Sequence, residues 1–450
     1  MNISAILTDS RKLTYIMGGA IGLMVLLAFV FILRNSFSTG GTASATLEVW
    51  GVFDDTPAFS DAIKAFEKAN KNIKVNYKMF KPQDYEKAVL DALAAGQGPD
   101  VWMMHNTWLP KHINKIQPMP ASTAGSKTPL MTVRQFKDTF VDVAAADIIN
   151  GDKIYGLPLY VDTLALYYNK DMFASAGIAQ APKTWTEFMD DVKKITTYDA
   201  SRNITRSGAA MGTARNINRS TDILMMLMLQ SGVQMTDADN VQATFSRSVD
   251  GQNVGERTLE FYTDFANKGR GAGDNGKEVY TWDDSMHYSI DAFTAGETAM
   301  MINYSHQIPV LRAAASRLNW AIASVPQAST VDSRTYANYW PLVVSLKTKN
   351  SDAAWQFAYY MTAGDGTIPY LNAAARPTAR RDLINQQKTD PDLGVFAEQA
   401  LSARSWFQVD NAAIETIFAD MIDAVNLGGK TFQDAIRTAE ARVSVLMQSR

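Results

Sequence analysis

The chain of 450 residues has no cysteine and only four histidines. The first absence excludes disulfides, thiolate metal ligands, a cysteine nucleophile and a lipid anchor carried on cysteine. The second leaves little for a histidine-based metal centre, so no metal ligand and no cofactor are expected. An excess of one charge is also missing, with 43 Lys and Arg against 46 Asp and Glu for a net of -3. A chain so balanced lacks the electrostatic footprint of a nucleic-acid binder. Apolar residues at 46% and charged residues at 20% are ordinary globular values. They exclude a wholly disordered, collagen-like or coiled-coil chain.

Long apolar runs are absent with one exception. Arg11 and Lys12 precede an uncharged stretch over 13–33, and Arg34 closes it. As a helix these 21 residues span about 31 Å, the thickness of a hydrocarbon core. A signal-peptide core is shorter, about 7–15 residues. The A-x-A site Ala43-Ser44-Ala45 also lies well beyond the run. The sequence therefore reads as a single-pass anchor over 13–33. Residues 1–12 are cytoplasmic, because basic residues are denser on that side. Residues 34–45 form a small polar linker. Everything after them is extracytoplasmic, whether tethered or, after cleavage near Ala45, secreted or periplasmic.

Beyond the linker the hydrophobic pattern is regular. Residues 46–51 read as a strand, and Thr56 with Pro57 opens a helix carrying Phe59, Ile63 and Phe66 on one face. Residues 73–79 alternate as a second strand. Asp84 opens another helix with Tyr85, Val89, Ala92 and Leu93 inward, and 101–104 is a buried third strand. Strand and helix in alternation imply parallel pairing and an α/β layer fold. Ligands in such sheets bind beyond the carboxyl ends of the strands. Two loops lie there, GVFDD at 51–55 and HNTW at 105–108. The competing reading makes Trp50 and Trp102 core and Trp108 a surface turn.

Enzyme motifs do not hold up. Gly271, Gly273 and Gly276 spell GxGxxG, but after a helical stretch and not a strand. Gly429-Lys430-Thr431 ends like a P-loop, yet Ala424 stands where the first glycine is required. There is no HExxH and no GxSxG. Asp283 and Asp284 are adjacent, so on a strand they point to opposite faces and cannot flank one glycosidic bond.

Four stretches carry a resemblance. They are GLPLYVDTLALYYNKDMF within 151–197, ALAAGQGPDV at 92–101, AFTAGETAMMIN at 292–303 and WPLVVSLKTKNSDAAWQFAYYMT at 340–362. In this order and spacing the sequence over 46–450 resembles the extracellular solute-binding proteins of sugar ABC importers, the maltodextrin-binding-like group. The resemblance implies a two-lobed periplasmic-binding-protein-like clamp of type II with discontinuous α/β lobes. It puts the chain crossings at 161–163, 302–304 and 343–345. Lobe one would be 46–161 and 304–343, and lobe two 162–303 and 344–450. It further implies a monomer without catalytic activity that delivers a carbohydrate to a permease and an ATPase on separate chains. The alternatives are a secreted glycan-active enzyme or a sensory ligand-binding module. Thr184 and Glu187 form a capping box that starts a helix in the second lobe. The methionines Met225, Met226 and Met228 read as core.

A sugar offers hydroxyl edges and apolar faces, so its site needs forked polar groups and flat rings. The residues at the family's cleft positions are Asp54 and Asp55, then His105, Asn106 and Trp108. Asp162 lies at the first crossing, with Trp282 and Asp284 in the second lobe. Asn303 and Tyr304 follow, then Tyr339 and Trp340, and Arg376 in the loop NAAARPTARRD. Trp340 is expected as a stacking wall and Asp162 as a hydroxyl acceptor in an open, wet cleft. The basic residue that maltodextrin binders carry beside the first-strand carboxylate is missing from GVFDDT. HNTW and NYSH match no one sugar. The ligand class stays open among monosaccharides, oligosaccharides and polyol phosphates.

Overall fold

The computed structural model describes residues 44–122, 128–269, 278–329 and 331–448. The apolar stretch 13–33 and the glycine motif at 271–276 lie outside them. No helix among the described residues is long and apolar enough to cross a membrane.

The first strand, β1 (Ala45–Val52), buries Leu47 and Val49 and exposes Thr46 and Glu48, the period of a half-buried strand. Helix α1 (Thr56–Ala69) carries a proline in its first turn and turns Ala58, Phe59, Ala62 and Phe66 inward. Strand β2 (Ile73–Phe80) follows. Helix α2 (Pro82–Ala94) starts on its proline, two residues before the expected Asp84. Strand β3 (Val101–Met103) is buried throughout. Strand β1 runs parallel to both β2 and β3, with Val49 opposite Tyr77 and Val101.

The chain then leaves this layer through β4 (Asp162–Thr163) and enters β5 (Ala165–Asn169). Helix α3 (Trp185–Ile195) begins with the expected capping box between Thr184 and Glu187. Helix α4 (Ser220–Gln230) is buried from Ser220 to Met228, so its methionines are core as expected. Strand β6 (Met300–Asn303), helix α5 (Gln307–Ala314) and strand β7 (Trp320–Ala323) follow. Strands β6 and β7 flank β5 in an antiparallel sheet. Strand β8 (Thr335–Asn338) leads to β9 (Pro341–Ser345), which inserts beside β3 antiparallel to it, with Val344 opposite Val101. Helices α6 (Ser351–Thr362) and α7 (Thr367–Ala374), strand β10 (Ala403–Arg404) and helices α8 (Asn411–Asn426) and α9 (Phe432–Gln448) complete the chain.

Buried apolar side chains fall into two separate cores. One gathers residues from Leu47 to Val161, from Ala337 to Ile384, and Ala400 and Ala403. The other gathers residues from Leu164 to Tyr336, then Leu393, Phe396 and those from Trp406 to Met447. This packing corrects the expected lobe boundaries. Tyr304, Ile308 and Leu311 belong to the second core, although 304–343 was expected in lobe one. Trp355, Phe357 and Tyr370 belong to the first core, although 344–450 was expected in lobe two. The reason is that β9 is an inner strand of the first sheet, so the helices after it pack on that sheet.

The crossings move accordingly. The first stays near 161–163. Others lie in β8, where Tyr336 and Ala337 face different cores, and around β10, between Ala403 and Trp406, and the segment 393–396 makes a further excursion into the second core between Ile384 and Ala400. The segments β4, β8 and β10 pair in one small sheet of order β10-β8-β4, with Asn338 opposite Asp162 and Tyr336 opposite Arg404. Residues 302–304 and 343–345 do not cross.

The α3 capping box gives a simple check. Replacing Thr184 by Ala removes the acceptor of the Glu187 N–H. Urea denaturation should show a loss of about 1 kcal/mol.

Candidate functional site

The first-lobe side of the seam starts at the end of β1. Phe53 adopts a left-handed backbone, with φ 68°, and its ring is exposed. That turn sends the next two carboxylates to different fates. Asp54 points inward. Its Oδ1 accepts from Arg376 Nε at 3.0 Å and Nη2 at 2.6 Å, and its Oδ2 accepts from the Tyr370 hydroxyl at 2.6 Å. The Arg376 guanidinium also lies over the Tyr160 ring at 5.0 Å. Asp54 and Arg376, both expected as ligand contacts, therefore satisfy each other. Asp55 caps α1 by accepting from the Ala58 N–H at 3.3 Å, which corrects its assignment to the site.

Behind them the rings converge on Trp340, which is 8% exposed. Phe53 lies 5.6 Å from it, Tyr85 5.9 Å, His105 5.2 Å and Trp108 5.1 Å, all edge to face. Edge-to-face geometry suits the ring quadrupoles. Trp340 is thus the centre of an aromatic cluster in the first core and not an open wet wall. His105 Nδ1 sits 2.8 Å from the Thr107 hydroxyl. Burial, followed by the positive charge of Arg219, lowers its pKa to about 3, so the ring is neutral.

Asn106 and Tyr339 meet at Asp147, which sequence reasoning missed. Asn106 Nδ2 donates at 2.9 Å and the Tyr339 hydroxyl at 2.8 Å, and Ser405 just after β10 donates as well. Burial pushes the Asp147 carboxyl up to about 6 against these three bonds. A cavity of about 780 Å³ opens beside it, also lined by Trp406 and Phe407. A second, of about 610 Å³, lies beyond Ser305 between Ile308 and Leu371. Two contacts from Trp108 onward join the lobes. Trp108 Nε1 donates to Asn411 Oδ1 at 2.7 Å, and Lys111 reaches Asp410 at 2.9 Å.

Asp162 occupies the first crossing and is 2% exposed. It accepts from the Thr163 N–H at 2.9 Å, the Ser305 N–H at 3.1 Å and the Ser305 hydroxyl at 2.7 Å. His306 Nδ1 stands 3.9 Å away. The carboxylate therefore ties β4 to the segment after β6, where an open-cleft hydroxyl acceptor was expected. Asn303 donates to Asn218 at 2.9 Å, and the Tyr304 hydroxyl donates to Asp222 at 2.8 Å. Arg219 lies over the Tyr304 ring at 5.7 Å. The His306 ring stacks between Tyr304 at 5.9 Å and Phe53 at 6.5 Å, so ring contact crosses the seam.

The remaining two expected residues lie elsewhere. Trp282 is 0% exposed, donates to Asn216 at 3.1 Å and belongs to the second core. Asp284 is exposed, and among charged neighbours it feels Asp423 and Asp283. Sequence reasoning also missed Phe53, Arg219, Asp222, His306 and Glu415. His306 stood in the quoted loop NYSH and could have been found there. Arg219 had only the weak signal of a cation directly before an apolar helix.

Rings from one lobe thus meet hydrogen-bonding side chains from the other across a three-stranded crossing. A family model for the bacterial extracellular solute-binding protein matches residues 50–367. The chain belongs to that family. Among curated relatives of this solute-binding protein, a putative binding protein of Brucella abortus is 23% identical over 87% of this chain and 90% of its own. The maltodextrin-binding protein MdxE of Bacillus subtilis is 24% identical over 79% of each chain. Among solved structures, the cyclic α-maltosyl-1,6-maltose-binding protein of Arthrobacter globiformis matches with TM-score 0.71. It is 17% identical, covering 90% of this chain and 99% of that one. A solute-binding protein of Thermotoga lettingae bound with α-D-tagatose matches with TM-score 0.66 at 23% identity, covering 90% and 100%. At these identities the structures establish the two-lobed periplasmic-binding-protein-like fold.

Two substitutions test the buried groups. Asp54→Asn leaves the Arg376 guanidinium buried without its counter-charge. Chemical denaturation should show a loss of about 3–5 kcal/mol, and an unchanged midpoint would mean the pair is not buried as described.

Asp162 gives a pH signature. Burial, more than the opposing bonds from Ser305 and Thr163, raises its carboxyl from 3.8 to about 6. Folding then favours the protonated form. Its contribution to stability is complete below pH 3.8 and is lost as pH rises through about 6. Relative to Asp162→Asn, the parent should lose melting temperature between about pH 4 and pH 7. Parallel melting profiles for the two proteins would show that the shift is absent.

Proposed function

We propose that this solute-binding protein is the extracytoplasmic receptor of an ABC importer. It captures a carbohydrate between its lobes and delivers it to a permease driven by an ATPase, both on separate chains. The observation that supports this most directly is the seam itself. The first lobe supplies a cluster of rings around Trp340 with the exposed edge of Phe53 in front. The second supplies Arg219, Asn303, Tyr304 and His306. Rings for the apolar faces of a sugar and donors for its hydroxyls are the two halves of a carbohydrate site. The sugars for which relatives are named (maltodextrin, a galactooligosaccharide, diacetylchitobiose) agree with that chemistry. The same family and neighbours are binding proteins, which supports a receptor without turnover.

We further propose that residues 13–33 anchor the receptor in the membrane with the lobes on the outer side. This rests on the length and flanking charge of that run. The binding residues proposed are Trp340, Trp108 and His105 of the earlier expectation, joined by Phe53, Arg219 and His306, whereas Asp162 is already engaged by Ser305 and Thr163. Closure is a population shift. Contacts that bridge both lobes exist only in the closed arrangement, so a ligand that makes them favours it.

Calorimetry against a panel of mono- and oligosaccharides should find a ligand. Small-angle scattering with that ligand at saturation should then show a smaller radius of gyration than without it. Binding with an unchanged radius would contradict the clamp, and turnover of a bound glycan would favour an enzyme.

A further inference from the structure

Arg219 is a cation placed at the seam with nothing to hold. It precedes α4 with a left-handed backbone, φ 64°, which costs a side-chain-bearing residue free energy and persists only where surroundings impose it. Its Nε is shut off from solvent and has no hydrogen-bond partner. Its guanidinium lies over the face of the Tyr304 ring at 5.7 Å. The nearest acids are engaged elsewhere. Asp222 accepts from the Tyr304 hydroxyl at 2.8 Å, and Glu415 accepts from Asn411 at 3.3 Å. The other cation of the region, Arg376, is consumed by Asp54.

The groups around Arg219 come from both lobes. His105 from the first and His306 from the second both feel its charge, and both are held neutral, with pKa values of about 3. Asp222 and Glu415 feel it too, yet burial raises both carboxyls, Glu415 to about 7. Together with Tyr304 and Tyr288 they hold the guanidinium charged against its burial, although neither carboxylate makes a contact ion pair with it. A half-buried guanidinium with a buried, unpartnered Nε and no contact ion pair has hydrogen-bonding capacity that an incoming oxyanion can fill. Its planar fork fits two oxygens of one carboxylate better than it fits a single hydroxyl.

We propose that Arg219 is a specificity-determining residue that pairs with a carboxylate on the sugar, so that the ligand is an acidic carbohydrate of the uronate class. The Trp340 cluster and the Phe53–His306 stack then flank the sugar ring, and Arg219 receives its acid group. This inference rests on the carbohydrate reading above and narrows it.

The test titrates the full-length protein in detergent by calorimetry with two probes, digalacturonate and the neutral galactobiose. The parent should bind digalacturonate at least about tenfold more tightly than galactobiose, as expected for one charge-assisted pair. Arg219→Gln should lower digalacturonate affinity about a hundredfold and galactobiose affinity by under about tenfold, the loss of a single hydroxyl contact, so that the preference for the acid is abolished. Arg219→Lys keeps the charge and loses the fork, and it guards against a folding defect in the glutamine variant. It should fall between the two. Melting of each unliganded variant reports its folding directly. Preference of the parent for galactobiose would overturn the assignment while leaving the carbohydrate reading intact. So would unchanged digalacturonate affinity in folded Arg219→Gln. Failure of the parent to bind either probe or any sugar of the wider panel would overturn both.

Discussion

The arrangement of this protein depends on a narrow sheet that only a few residues build. Strands β4, β8 and β10 are two, four and two residues long, and they lie at three of the passages of the chain between two large cores. Their pairing, Ala337 with Thr163 and Thr335 with Ala403, fixes the register in which one lobe faces the other. Side chains reinforce it from both edges. Gln399 donates to the Leu164 carbonyl at 3.0 Å and accepts from the Val325 N–H at 3.0 Å. Asp162 binds Ser305 on one edge, and Asp147 binds Ser405 near the other. Two well-packed cores resist deformation, whereas two-residue strands absorb changes in dihedral angle at few positions. Any relative motion of the lobes is therefore concentrated here.

Placing the crossing beside the seam also explains the electrostatics. Polar groups that steer the chain between lobes are removed from water by both. Burial is the first cause of the raised carboxyls at Asp147 and Asp162 and of the neutral rings at His105 and His306. Fixed partners offset part of that penalty: three for Asp147, and Ser305 with Thr163 for Asp162. Asp54 and Arg376 settle the same problem by pairing. The groups that remain unmatched mark where a ligand has something to offer. Pairing also removes Asp54 and Arg376 from that set, since replacing their mutual bonds with bonds to a sugar would gain little.

The first α/β layer was legible because its signals are local. Alternation in 46–51 and 73–79, the proline in α1 and the Thr184–Glu187 box each depend on neighbours within a few residues. The lobe boundaries were not legible, because they turn on β9. A run such as PLVVS reads as a buried strand in either lobe, and only its long-range pairing with Val101 assigns it to the first. Asp54 and Asp55 show the same limit at finer scale. The two carboxylates are equivalent on paper, and the left-handed turn at Phe53 sends one to a buried arginine and the other to a helix cap. Trp282 and Trp340 also read alike, but one donates inside the second core and the other gathers rings at the seam. Arg219 was missed because its backbone conformation leaves no trace in residue identity.

The direct contacts between lobes bear on how closure is balanced. Lys111–Asp410 is a partly exposed ion pair, a type worth about 0–1 kcal/mol. Trp108–Asn411 is one neutral hydrogen bond, worth about 0.5–1.5 kcal/mol. The Phe53–His306 stack adds a contact of similar size. Each of these bridges is small, so the direct contacts between the lobes together contribute only a few kcal/mol. At the same seam the buried Nε of Arg219 has no acceptor. A ligand that fills the seam and satisfies the unmatched donor needs to supply only a few kcal/mol of differential contact to move the population, at about 1.4 kcal/mol per decade. A seam already satisfied by its own residues would stay shut and release nothing.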